Sequence, residues 1–151
     1  MRKLILLAVV VAAGALRFSP AYAETVAVIA NQENELSDIP AQELTQIYQG
    51  IKTRWKDGSN IFVINRSVDS KPRQLFYRKA LGTEPAREFY LIGTPVPFKS
   101  LIQKTDLSTK RLVSRTPNAI GYIDLHELDS TVKVLSVSGL HPEDKGYLLG
   151  D

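Results

Sequence analysis

The chain has no cysteine and only two histidines, and after its first 23 residues it has no excess of charge of either sign. The lack of cysteine excludes disulfides, thiolate metal ligands and a lipid-modified cysteine, so a folded domain must depend on packing alone. The spacing of His126 and His141 matches no zinc motif, and we expect neither a metal nor a cofactor. The sequence also lacks a G-x-S-x-G elbow, an H-E-x-x-H helix and a Walker loop, which argues against an enzyme.

Residues 1–23 have the three features of a secretory signal peptide. Two bases at positions 2–3 precede an apolar run at 4–16, and Ala-Tyr-Ala at 21–23 forms a small-residue cleavage site. The run is too short to span a bilayer, which takes about 20 apolar residues. We therefore expect residues 24–151 to be released as one periplasmic or secreted domain with no stable membrane insertion. The alternative is an uncleaved signal anchor.

The formal charge of +3 belongs entirely to those first 23 residues. A uniformly basic surface is therefore excluded, and we expect no nucleic-acid partner. Residues 24–151 have no net charge, but their acids and bases are unevenly distributed along the sequence. Residues 24–51 have five acids and no base, residues 52–115 have fourteen bases and five acids, and residues 116–151 have two bases and six acids. A basic middle section attracts small anions, unless its cations are solvated or pair with the acidic ends.

The hydrophobic pattern predicts an α/β domain with a central mixed sheet flanked by helices. Short β-branched or apolar runs predict strands at residues 25–30, 61–64, 120–123 and 132–137. Proline, serine, threonine and glycine positions predict helices over residues 40–50, 70–82, 83–91 and 107–115, with an irregular stretch at 93–97.

The loop at residues 65–73 has the densest set of anion-binding side chains. It follows the carboxyl end of a predicted strand and leads into a helix, a place where α/β proteins collect ligands. It contains two guanidinium groups, an ammonium group and two hydroxyls, which suit an oxyanion. The candidate ligands are Arg66, Ser67, Ser70, Lys71 and Arg73. The alternative is a plain helix cap surrounded by surface cations.

Four stretches resemble, in the same order, the substrate-binding proteins of phosphate ABC transporters, which have the type 2 periplasmic binding fold. Residues 44–50 (LTQIYQG) with Trp55 are similar to the family's L-x-x-I-[YF]-x-G helix and its tryptophan. Residues 61–70 resemble its strand and R-S-x-x-S anion loop, and residues 116–122 (TPNAIGY) resemble T-P-G-A-I-G-Y. Residues 132–147 are similar to the part that follows. The resemblance implies a protein that binds phosphate or a similar oxyanion, with an ABC permease as partner.

Two departures from the family pattern imply weak binding. Family members have two lobes and a longer chain, whereas this sequence matches a single lobe. Their loop continues S-G-T, whereas Ser70-Lys71-Pro72 stands here, so one N–H and one hydroxyl are lost. We therefore expect phosphate to bind in the millimolar rather than the micromolar range. The alternative is a single-lobe accessory module of the cell envelope that binds a protein partner and has lost tight ligand binding.

Overall fold

The computed structural model describes residues 24–85 and 100–150, which form a mixed six-stranded sheet with helices on both faces. The strands are β1 (Val26–Ala30), β2 (Asp38–Ile39), β3 (Phe62–Arg66), β4 (Leu101–Gln103), β5 (Ala119–Asp124) and β6 (Lys133–Val137). The helices are α1 (Ala41–Tyr48), α2 (Lys71–Phe76) and α3 (Asp106–Arg115). A π-helical turn at Tyr77–Leu81 continues α2, and a 3₁₀ turn at Leu125–Glu127 follows β5. In this part of the chain, no helix is both long and apolar enough to cross a membrane.

The sheet has the strand order β2-β6-β1-β5-β3-β4. Strand β1 is antiparallel to both of its neighbours, whereas the β2–β6, β3–β5 and β3–β4 pairs are parallel. The carboxyl ends of five strands therefore meet at one side of the sheet, beside the start of β1. We call this side the carboxyl edge; it is formed by Val26, Ile39, Arg66, Gln103, Asp124 and Val137.

Strand β1 is the centre of the hydrophobic core, because all five of its residues are buried. Alternate side chains point to opposite faces of a strand. Val26 and Val28 accordingly pack in a cluster with α1 and α2, while Ala27 and Ile29 pack in a second cluster with α3. The aliphatic run of β1 therefore follows from burial on both faces.

The structure confirms the predicted α/β class and the elements with strong patterns. The four predicted strands correspond to β1, β3, β5 and β6, and three of the predicted helices correspond to α1, α2 with its π-helical turn, and α3. Strands β2 and β4 were not predicted, because two and three residues are too few to show a hydrophobic period. Residues 83–85 are irregular. The rest of the predicted helix over 83–91 and the stretch 93–97 lie outside the described residues.

Gly121 lets α3 pack closely on β5. A Cβ atom at this position would lie 3.2 Å from Val113 Cγ2 and 3.3 Å from Thr109 Cγ2, both on α3. These distances are shorter than ordinary van der Waals contacts between carbon atoms. Because α3 supplies Asp106 to the carboxyl edge, a shift of α3 would change that edge as well.

We expect Gly121→Ala to lower the free energy of unfolding by about 1–3 kcal/mol, because overpacking forces α3 away from β5. Urea unfolding followed by circular dichroism measures this change. Gly150→Ala is the matched control, since a Cβ there would meet its nearest atoms at 3.6 Å. The control should change the unfolding free energy by less than about 0.5 kcal/mol. Equal destabilisation by both substitutions would contradict the packing explanation.

Candidate anion site

The loop after β3 is fastened to the carboxyl edge by main-chain hydrogen bonds. The Ser67 N–H donates to the Gln103 carbonyl at the end of β4 over 3.0 Å, and the Ser70 N–H donates to the Ser67 carbonyl over 2.9 Å. The second bond closes a turn that places Ser70 at the N-cap of α2, where the sequence predicts it. The Ser67 and Ser70 side chains are both half-buried in this turn.

The first turn of α2 offers few main-chain donors to a ligand. The Ser70 hydroxyl oxygen accepts from the Arg73 N–H over 3.4 Å, and Pro72 has no N–H. The Lys71 amide is therefore the remaining main-chain donor of this turn. An anion at the start of α2 would depend mainly on side chains rather than on a row of amides.

Arg66 is buried at the end of β3, with 3% of its surface exposed. Its Nη1 group forms an ion pair with the carboxylate of Asp106, and its Nη2 group donates to the Lys104 carbonyl over 3.3 Å. Its Nε–H is buried and has no hydrogen-bond partner among the residues that the structure describes. The guanidinium therefore ties β3 to the segment between β4 and α3.

Asp106, the carboxylate partner of Arg66, was not among the predicted site residues. It is the first residue of α3, a helix that Thr105 caps by accepting from the Ser108 N–H. The Asp106 carboxylate oxygen that accepts from Arg66 also accepts from the Asp124 N–H over 3.1 Å. One carboxylate thus joins the ends of β3 and β5 to the start of α3. The only sequence signal for it was an acid in the first turn of a helix.

Arg73 lies behind the loop and is also 3% exposed. Its Nη1 group donates to the Arg66 carbonyl over 2.8 Å, and its Nη2 group donates to the Tyr77 hydroxyl over 3.1 Å. The guanidinium carbon lies 4.7 Å from the centre of the Tyr77 ring, within the range of a cation–π contact. Neither arginine of the loop is therefore a surface cation, which excludes that part of the plain-cap interpretation.

Three side chains that were not predicted as site residues form a hydrogen-bonded set that holds Arg66 in position. The Asn65 side-chain carbonyl accepts from the Tyr122 hydroxyl and, over 2.9 Å, from the Arg66 N–H. The Asn65 side-chain amide donates to the Tyr77 hydroxyl over 2.9 Å. Burial raises the pKa of Tyr122 far above its ordinary value, so its hydroxyl stays protonated and remains a donor.

Lys71 is the most accessible cation of the loop. Its side chain is 80% exposed, and its ammonium lies 3.1 Å from the Glu24 carboxylate. The two residues border a small surface cavity of about 100 Å³ beside the start of α2, which Asp124 also lines. In the described residues, no group of three or more histidine, aspartate or glutamate side chains is arranged to hold a metal ion.

The structure therefore divides the five predicted ligands into two sets. Ser67, Ser70 and Lys71 form the accessible set, in which Lys71 is exposed and the serines are half-buried, whereas Arg66 and Arg73 are buried and bonded to the protein. The accessible set can donate hydrogen bonds to an oxyanion. The buried set holds the loop in place: Arg66 through Asp106 and the Lys104 carbonyl, and Arg73 through the Arg66 carbonyl.

Comparison with known proteins shows similarity over most of the chain. A family model described as a PBP superfamily domain matches residues 8–147. The phosphate-binding protein PstS of Bacillus subtilis is 30% identical over 132 residues, which cover 83% of this chain and 40% of that protein.

Solved structures show the same fold. An ABC-type phosphate transport receptor from Vibrio cholerae superposes with a TM-score of 0.67 at 25% identity, over 80% of this chain and 48% of that one. A putative phosphate ABC transporter substrate-binding protein from Clostridium perfringens, with bound phosphate, superposes with a TM-score of 0.65 at 27% identity. The superposition covers 80% of this chain and 47% of that one. The chain spans less than half the length of each of these relatives. It belongs to the PBP superfamily, and its relatives there are the substrate-binding proteins of phosphate ABC transporters.

Proposed function

We propose that this chain is an exported protein that binds phosphate or a similar oxyanion weakly, at the loop formed by residues 66–73. The observation that carries the proposal is the position of this loop in a protein of this family. It lies at the carboxyl edge of an open α/β sheet, where ligands of such folds bind. The name of the relative from Clostridium perfringens records bound phosphate, which supports the ligand class.

In this proposal, phosphate is held by the accessible donors of the loop. The Ser70 hydroxyl and the amide and ammonium of Lys71 donate to its oxygens, and the Ser67 hydroxyl does so in place of its long bond to the Gln103 carbonyl. The buried guanidinium groups of Arg66 and Arg73 hold the loop that presents these donors. Because the donors are few and face water, solvent competes for each of them. A dissociation constant of about 1 mM corresponds to only ~4 kcal/mol of binding free energy.

We also propose that residues 1–23 direct export and are removed, and that an ABC permease or another envelope protein is the macromolecular partner. The basic start, apolar run and small-residue site of the N-terminal segment support export. The partner class rests on relatives that are named as ABC transport components.

Phosphate titration at constant ionic strength tests the binding proposal. We expect heat of binding in calorimetry with a dissociation constant in the millimolar range. Lys71→Ala should weaken binding about fivefold, since one charge about 4 Å away in water contributes about 1 kcal/mol. Lys79→Ala is the matched control, because it removes another exposed lysine with the same change of net charge. Equal weakening by both variants, or no binding at millimolar phosphate, contradicts the proposed site.

Intact mass and N-terminal sequencing test the export proposal. When the full chain is expressed in a bacterium that has a periplasm, the recovered protein should begin at Glu24. It should be found in the periplasmic or secreted fraction. Ala21→Asp should block this processing, because signal peptidases accept small residues at that position. Recovery of the unchanged chain at full length in the membrane fraction would favour an uncleaved anchor.

A further inference from the structure

The Arg66 guanidinium already binds an anion, and that anion is the side chain of Asp106. The carboxylate accepts from Arg66 and, over 3.1 Å, from the Asp124 N–H. It also lies in the first turn of α3, a ten-residue helix. A guanidinium, a main-chain N–H and the positive end of a helix are features that proteins use to bind free oxyanions. The groups around the Asp106 carboxylate therefore have the composition of an oxyanion site, and the chain's own carboxylate occupies it.

Burial shows which partner of this ion pair is able to move away. The Arg66 side chain is 4% exposed, whereas the Asp106 side chain is 21% exposed. The carboxylate is thus the partner closer to solvent, and the guanidinium is fixed by the Lys104 carbonyl as well. Within residues 24–85 and 100–150 the Arg66 Nε–H has no partner, so the guanidinium keeps a donor that Asp106 does not use.

We propose that Asp106 is a built-in competitor of the ligand and determines how strongly the loop binds phosphate or a similar oxyanion. The ligand class in this inference rests on the proposed function. With Asp106 in place, the charge of Arg66 is neutralised before a ligand arrives, and a ligand must either stay at the outer donors or displace the carboxylate. Without that carboxylate, the buried charge of Arg66 is available to the ligand.

Calorimetric titration of the full chain with inorganic phosphate tests this role. Asp106→Asn keeps the size of the side chain and removes its charge. We expect it to bind phosphate at least about tenfold more tightly than the natural chain, and to bind sulfate more tightly as well. An affinity within about threefold of the natural chain would overturn the proposal.

A matched control and a double variant show whether any gain comes from Arg66. Asp129→Asn also removes a carboxylate from a mostly buried cation, Lys110, with the same change of net charge. It should leave phosphate affinity unchanged, and an equal gain would assign the effect to net charge and overturn the proposal. Combining Arg66→Met with Asp106→Asn removes both charges and should abolish the gain. A gain that persists in this double variant also overturns the proposal.

The outcomes separate this inference from the proposed function. Tight binding by Asp106→Asn with none by the natural chain supports the role of Asp106 and contradicts phosphate binding as the natural function. Equal weak binding by both supports the function and overturns the role of Asp106. Should Asp106→Asn be unfolded in phosphate-free buffer, phosphate should restore its native circular dichroism spectrum by replacing the lost counter-charge. Failure of phosphate to restore it overturns the proposal.

Discussion

The ion pair between Arg66 and Asp106 is the contact on which the carboxyl edge depends. It joins residues that lie 40 positions apart and connects the end of β3 to the start of α3. The same carboxylate holds the end of β5 through the Asp124 N–H. Because Arg66 is buried, removing the Asp106 carboxylate would leave its charge uncompensated, which destabilises the fold. The pair therefore holds three elements together at the edge of the sheet where the proposed ligand site lies.

The polar layer beneath this ion pair explains why Arg66 has a fixed position. Its N–H donates to Asn65, and its carbonyl accepts from Arg73. The Tyr122 hydroxyl donates to Asn65, and the Tyr122 ring stacks on Phe76 with centroids 4.2 Å apart. The position of Arg66 is thus determined by a hydrogen-bonded layer that rests directly on the aromatic core. Buried hydrogen-bonded networks of this kind restrict the side chains within them, so substitutions in the core below should also move the guanidinium.

The sequence was sufficient to predict the parts of the fold that depend on local pattern. The strand over 26–30 and the helix capped at Ser70 follow from apolar runs and capping chemistry. Strand β4 was missed because its pairing partner, β3, and not its own composition, makes it a strand. Asp106 was missed for a related reason, since nothing local shows that the first acid of a helix will meet a buried arginine 40 residues earlier. Ion pairs between residues that are distant in the chain produce no periodic pattern in the sequence.

The segregation of charge along the chain acquires a different meaning in the folded structure. Lysines of the basic middle section pair with acids of the two acidic ends: Lys52 with Glu43, Lys71 with Glu24, and Lys110 with Asp129. Arg66 and Arg73 are turned inward. Three cations of the middle section are thus paired with the ends of the chain, and two more are buried. Since paired and buried cations project little field into solvent, a basic stretch of sequence does not by itself produce a strong anion funnel. Under the proposed function, the affinity of the loop for an anion then depends on local donors and on the individual carboxylates beside them. For that reason one aspartate at the start of α3 matters more than the charge of the whole section.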